Sequence, residues 1–279
     1  EMLSGDWSSD VCSSDLDFKT LAVRRDGGVL HVTLNRPEVR NAMSLAMVRE
    51  LRAVLAQAEM KADVRAIVLR GAGGHFCAGA DLSDMAAARM RLQDNPKALE
   101  EINASFGELC VAYASTGIAT VAAVEGTCMG GGFGLACVAD VALAGETAAF
   151  RLPETGLGVV PAQIAPFLVE RLGYAEAKRL AVTGARLNAT EALAIRLVHG
   201  VHAGADLDAA VQKVLADILA CAPMAVAATK ALIAKARWQT AASLVPEAAA
   251  VFSQAALGPE GVEGTTAFLQ KRKAAWVPQ

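Results

Sequence analysis

The 279-residue chain lacks long apolar runs, paired metal-ligand spacings and any excess of positive charge. Its longest apolar stretches, such as 118–124, fall far short of the roughly 20 residues that a membrane-spanning helix needs. With 26 Lys and Arg against 29 Asp and Glu, the net charge is −3, not the basic balance of a nucleic-acid binder. Lys271-Arg272-Lys273 is only a local patch. The six cysteines form no CxxC pair and no framework spacing, so they read as reduced thiols of a cytoplasmic protein. Histidine is scarce too. His199 and His202 stand three apart without a carboxylate or cysteine nearby, and read as ordinary residues at a helix exit rather than zinc ligands.

What is present is apolar and small. Hydrophobic residues make up 54% of the chain against 20% charged, which excludes a disordered protein. Alanine dominates, and there are 24 glycines. The length fits one large domain, or one with a subdomain. Residues 1–16 are Ser/Asp-rich and aperiodic. They have neither the basic start nor the apolar centre of a secretory signal. They are expected to be a non-native or disordered leader with no packed role.

Regular patterning begins at Phe18. Residues 19–25 and 29–34 alternate as strands around Asp26-Gly27-Gly28, a hairpin signal. Leu45, Val48, Leu51 and Leu55 have helical spacing within 44–60. A strand over 65–70 leads to a Gly-rich loop, 71–81, and helices near 83–92 and 97–115. A second strand, 119–124, leads to Gly130-Gly131-Gly132 and a helix to about 139. Short strands follow at 140–144 and 148–150. The recurrence predicts stacked strand–strand–helix units rather than a doubly wound sheet. From about 161 the pattern is helical: 161–171, 175–183, 189–197, 206–221, 224–237, 241–256 and 260–274, broken by a short strand near 198–202. Asn188 with Glu191 has the form of a capping box. The expected division is the leader 1–16, a core 17–205 and a helical region 206–279.

Chemistry concentrates in three segments: Gly71–Leu82, Gly126–Leu135 and Phe150–Gly158. Gly-rich loops that run into helices can present unpaired N–H groups to a ligand. Two such loops facing each other could aim two donors at one oxygen, as an oxyanion hole does. Glu154 sits between apolar neighbours, and partial desolvation there would raise its pKa and suit it to move protons. Two other patterns lead elsewhere. Gly71-Ala72-Gly73-Gly74 is not a complete GxGxxG. Tyr174 and Lys178 have dehydrogenase-like YxxxK spacing, but no N-terminal TGxxxGxG precedes them, and they fit an ordinary helix start.

Five ordered motifs together resemble the enoyl-CoA hydratase/isomerase (crotonase) superfamily. They are Leu34–Met43 (LNRPEVRNAM), Phe76–Leu82 (FCAGADL), Gly130–Ala136 (GGGFGLA) with Asp140, Leu152-Pro153-Glu154, and Glu263–Lys273 (EGTTAFLQKRK). The resemblance implies an α/β fold: a spiral of ββα units followed by a helical C-terminal trimerisation region. It implies an acyl-CoA substrate, a homotrimer or hexamer, and no metal or redox cofactor, with CoA entering as part of the substrate. It assigns the backbone N–H groups of Ala78 and Gly131 to the oxyanion hole and Glu154 to proton transfer. It assigns CoA or substrate contacts to Arg40, Ala42, Ala80, Asp81, Leu82, Gly132, Phe268 and Lys271.

One position departs from the two-carboxylate hydratases of this superfamily. They carry a second glutamate three residues after the oxyanion glycine, where this chain has Gly134. The exchange removes a charge and is expected to leave space, favouring a branched substrate that brings its own carboxylate. Residues 130–140 and 153–167 further resemble the isohexenylglutaconyl-CoA hydratases of acyclic-terpene breakdown. The 3-methylglutaconyl-CoA hydratases of leucine breakdown are the alternative, followed by a double-bond isomerase or a non-catalytic binding protein. Met85, Met90, Phe133 and Phe167 are candidates for lining a pocket around a long acyl branch, although each also fits core packing.

Overall fold

The computed structural model describes residues 18–61 and 63–278, so the leader expectation for 1–16 lies outside the described residues. The principal sheet is built from β1 (Leu21–Asp26), β2 (Val29–Leu34), β3 (Ala66–Gly71), β4 (Ala119–Val124), β6 (Val141–Gly145) and β9 (Gly200–His202), side by side in that order. A smaller sheet holds β5 (Thr127–Met129), β7 (Ala149–Arg151) and β8 (Arg186–Asn188). Only β1–β2 and β7–β8 are antiparallel. The first is the expected hairpin, turning at Gly27 with φ 53°.

The principal sheet is covered on both faces, and its alternating residues sort between two apolar clusters. Ile67, Leu69, Ala122 and Val124 face the larger core, together with Met47, Leu51 and Leu55 of α1 (Leu45–Met60). Ala66, Val68, Val121 and Ala123 face the other side, where Leu207, Val211 and Leu215 of the later helix Leu207–Ala220 cover them. This period of two explains why β4 is buried at every residue, as strands of a parallel sheet covered on both faces are.

The helices after α1 are α2 (Leu82–Met90), α3 (Ala98–Ser115), α4 (Gly131–Val138), α5 (Ala165–Leu172), α6 (Tyr174–Thr183), α7 (Ala189–Ala194), α8 (Leu207–Ala220), α9 (Pro223–Ala236), α10 (Ala241–Leu257) and α11 (Pro259–Leu269). Successive units run β4–β5–α4 and then β6–β7 into the helices beyond, each placing one strand in each sheet. That is the expected ββα spiral. The Asn188–Glu191 capping box opens α7 with both reciprocal bonds made. Two three-residue strands, β5 and β8, do not show in the sequence pattern, because alternation needs a longer run to be visible. The last helix ends at Leu269, not 274, and Lys271 turns left-handed at φ 53°. Among the described residues no single helix is long and apolar enough to cross a membrane.

Candidate active site

The three glycine- and glutamate-bearing segments are laced side by side. The first loop is held to the second: Phe76 N–H donates to Glu125 O at 2.8 Å, Cys77 N–H to Thr127 O at 2.9 Å, and Met129 N–H to Cys77 O at 2.9 Å. The second is held to the third by β5–β7 pairing and by Gly130 N–H donating to Arg151 O at 3.1 Å. Glycine is required where they meet. Gly130 has φ 49°, and a Cβ there would stand 2.9 Å from Glu154 Oε1. A Cβ on Gly132 would stand 2.7 Å from both the Cβ and the carbonyl oxygen of Cys77, so this buried glycine lets α4 close on the first loop.

Glu154 begins a 3-10 turn, Glu154–Leu157, closed by Gly158 at φ 73°. Its main-chain carbonyl accepts from Gly158 and Val159. Its side chain points back at Gly130, and Oε2 is buried without a hydrogen-bond partner. Burial raises its pKa above the ordinary carboxylate value, opposed only by a weaker backbone hydrogen bond. An ionisable oxygen held dry and unpartnered is suited to take and return a proton.

The donors facing it differ from the expectation at one residue. Ala78 N–H is already bonded to Arg40 O at 3.0 Å, so it is not the free donor the motif suggested. Ala80 N–H takes that place. Gly79 O accepts from Met43 N–H at 2.7 Å and Asp81 N–H donates to Met43 O at 3.0 Å. In a trans peptide the C=O and the following N–H point oppositely. Ala80 N–H is therefore turned away from Met43, to the side on which β5 and Gly130 lie. The break in alternation occurs at Gly79, with φ 99°, where a Cβ would approach Met129 O at 3.2 Å. Gly131 opens α4, and its N–H, like that of Ala80, meets no backbone acceptor among the described residues.

The remaining expected residues fall into two groups. Arg40, half-buried Ala42 and exposed Leu82 flank the first loop. Asp81 does not offer a free carboxylate. It caps α2 through Ser83 N–H at 2.9 Å and pairs with Arg36 at 2.8 Å. Burial acts against its ionisation, but hydrogen bonds from Ser83 and Arg36 outweigh it and hold the pKa below the ordinary value. Phe268 and Lys271 lie exposed at the end of α11, which packs on α10 rather than on α4.

Gly134 does not leave space. A Cβ there would fall inside contact distance of Ile164 Cγ2, 3.3 Å from Ile164 Cβ and 3.6 Å from Phe106 Cζ. The position of a second carboxylate is filled by hydrocarbon. Of the candidate pocket residues, Phe133 is buried edge-to-face against Phe150, with centroids 6.1 Å apart, and Met90 is 85% exposed. Phe106 and Ile164 were missed. Phe106 stands one turn before the buried Leu109–Cys110–Tyr113 stripe of α3, a helical spacing that could have found it. Asn41 was missed as well. It is fully buried at φ 57°, accepts from Arg36 N–H at 2.9 Å, and donates to Ala72 O at 2.9 Å and His75 O at 2.7 Å. It fastens the Arg40 turn to the first loop.

Comparison with known proteins bears on this geometry. The enoyl-CoA hydratase/isomerase family profile matches residues 24–279. The chain belongs to that family. Among solved structures it is similar to Pseudomonas aeruginosa AtuE, at 51% identity and TM-score 0.90, covering 93% of this chain and 100% of that one. It is also similar to an enoyl-CoA hydratase/isomerase from Marinobacter aquaeolei, at 46% identity and TM-score 0.89 with the same coverages. A putative enoyl-CoA hydratase/isomerase, YngF, of Bacillus subtilis is 33% identical over 247 residues, covering 88% of this chain and 93% of that protein. Membership of the enoyl-CoA hydratase/isomerase family makes an acyl-CoA thioester the substrate class.

Proposed function

We propose that this enzyme adds water to a 3-branched enoyl-CoA, with isohexenylglutaconyl-CoA as the substrate. The observation that carries the reading is a single buried, unpartnered carboxylate, Glu154, beside two free backbone donors, with hydrocarbon where a second carboxylate would stand. In this mechanism Ala80 N–H and Gly131 N–H hold the thioester oxygen. Glu154 takes a proton from water as the water oxygen bonds to C3. The C2=C3 electron pair shifts toward C2 and the thioester carbonyl, forming an enolate. Glu154 then returns its proton to C2, and the enolate electrons form the new C–H bond. Each donor of this kind is worth about 10²–10³ in rate. Arg40 is a candidate to meet the CoA phosphates, because its guanidinium makes no ion pair among the described residues.

The reading includes self-association as a trimer or hexamer. Helices α9–α11 and the turn after α9 leave Met224, Ile233, Trp238, Phe252, Leu257 and Phe268 largely exposed, apolar side chains of the kind that subunit contacts cover. Sedimentation analysis tests that part.

The test of function compares isohexenylglutaconyl-CoA, 3-methylglutaconyl-CoA and crotonyl-CoA with purified protein, following loss of enoyl-thioester absorbance and gain of water by mass. Turnover of the first, lost in Glu154→Gln, is the expected result. Turnover of only the methyl compound moves the substrate to the shorter branch. If no substrate gains water, hydration is refuted, and double-bond isomerisation by the same lone carboxylate takes its place.

A further inference from the structure

Three elements converge over the first turn of α4. Gly131 and Gly134, one turn apart, leave a groove in that helix. Phe106 Cζ rests over it, 3.2 Å from where a Cβ on Gly131 would be and 3.6 Å from one on Gly134. Ile164, 3% exposed at the start of α5, fills the rest. The corner carrying Ile164 is fastened to α3. Gln163 Nε2 donates to Asn103 Oδ1 at 2.7 Å, and the Gln163 side chain occupies the space a Cβ on Gly107 would need. Glu154 approaches the same stretch of chain at the adjacent Gly130. The start of α4 thus has a carboxylate beside Gly130 and hydrocarbon beside Gly131 and Gly134.

We propose that Phe106 and Ile164 are specificity-determining residues: Ile164 closes position 134 to a second carboxylate, and Phe106, backed by Ile164, supplies the surface on which an apolar branch at C3 of the acyl group lies. This rests on the functional reading above for its substrate class, but binding can test it without turnover. Ile164 is β-branched, with few rotamers, and is buried in the core, so its side chain has no room to swing aside for a larger residue at 134. A branch of one carbon lying against an apolar wall is discriminated by about tenfold or more.

The experiment measures binding of two saturated, unreactive thioesters, 3-methylbutyryl-CoA and butyryl-CoA, by titration calorimetry. The proteins are wild type, Phe106→Ala, Ile164→Ala and the conservative Phe106→Leu, each checked for a single cooperative melting transition well above the assay temperature. Wild type should prefer the branched ligand by about tenfold. Phe106→Ala and Ile164→Ala should lose most of that preference by weakening the branched ligand alone, and Phe106→Leu should keep it. Equal weakening of both ligands, or no preference in wild type, overturns the proposal. A second test is packing rescue. Gly134→Ala should lower the melting temperature, and combined with Ile164→Ala it should cost less than the sum of the two single changes. Additive losses would show that Ile164 is not what closes the position. If the binding preference behaves as expected but no enoyl-CoA is hydrated, the wall stands and the hydration reading fails. If 3-branched substrates are hydrated yet neither alanine variant shifts the preference, hydration stands and the wall fails.

Discussion

Replacing Glu154 with glutamine separates the chemistry of the carboxylate from its effect on the fold. The amide keeps the shape but cannot accept a proton from water, so kcat should fall by about 10²–10⁴. KM should move little, because the thioester oxygen is held by backbone. Stability should move the other way. Oε2 is buried without a partner, and desolvation raises the pKa of the group. An unpaired buried polar atom costs about 1–3 kcal/mol, and more when it is charged. Glutamine still buries an unpaired amide, so the net gain at neutral pH should be about 1 kcal/mol. In a chain of this size that is roughly 2–4 °C in Tm. Because the folded pKa lies above the unfolded one, wild type loses stability as pH rises through the window between them. Below that window both proteins carry a neutral group, and the difference in Tm should vanish. Calorimetric melting of both proteins across acid to neutral pH, paired with steady-state rates, reads both effects. Retained activity, or a variant less stable than wild type at neutral pH, would refute the reasoning.

Three further outcomes follow from individual contacts. Asn41→Ala removes three buried hydrogen bonds at a left-handed residue and should cost about 3–5 kcal/mol in urea unfolding, with Asn41→Asp also destabilised because it loses both donors. His199 is held neutral: burial, then the Arg171 charge, lowers its pKa, and its Nδ1 accepts from Ala142 N–H at 3.0 Å. Its stabilising contribution is present above its ordinary value of 6.5 and lost as pH falls below it, so His199→Asn should flatten the fall in urea midpoint between about pH 7.5 and 5.5. Among the described cysteines, only Cys221 is exposed, and burial pushes Cys77 up to about 11 and Cys110 and Cys137 up to about 12. Alkylation of native protein followed by peptide mapping should therefore mark Cys221 and spare Cys77, Cys110, Cys128 and Cys137 until the protein unfolds.

The strands, the helix periods and the two glycine loops with Glu154 were legible because each is a local pattern. The donor was misread by two residues because motif position does not reveal which way a peptide faces. That orientation is set by which neighbour takes each carbonyl, here Met43 for Gly79 and Arg40 for Ala78. Gly134 was read as space because a missing side chain in sequence is only a vacancy until tertiary packing fills it. The filling residue, Ile164, comes 30 positions later on another helix. Phe133 fitted either a pocket wall or the core in sequence, and packing decides for the core, where it turns to Phe150.

The fold explains why the site needs so few side chains. In the β4–β5 and β6–β7 units a strand of the principal sheet hands over to a short strand in the small one, and those two short strands pair in parallel. Parallel pairing sets the three motif segments in register, so the ends of the first and second face each other and the third places Glu154 against the second. Backbone donors positioned by sheet hydrogen bonds have no rotamers to lose when a ligand arrives, which is the preorganisation that oxyanion stabilisation requires. Side chains are then left with two tasks, moving a proton and selecting the acyl group. On the proposed function the lone carboxylate does the first and Phe106 with Ile164 the second, so substituting Glu154 should change rate without selectivity, and substituting Phe106 or Ile164 should change selectivity without the proton chemistry.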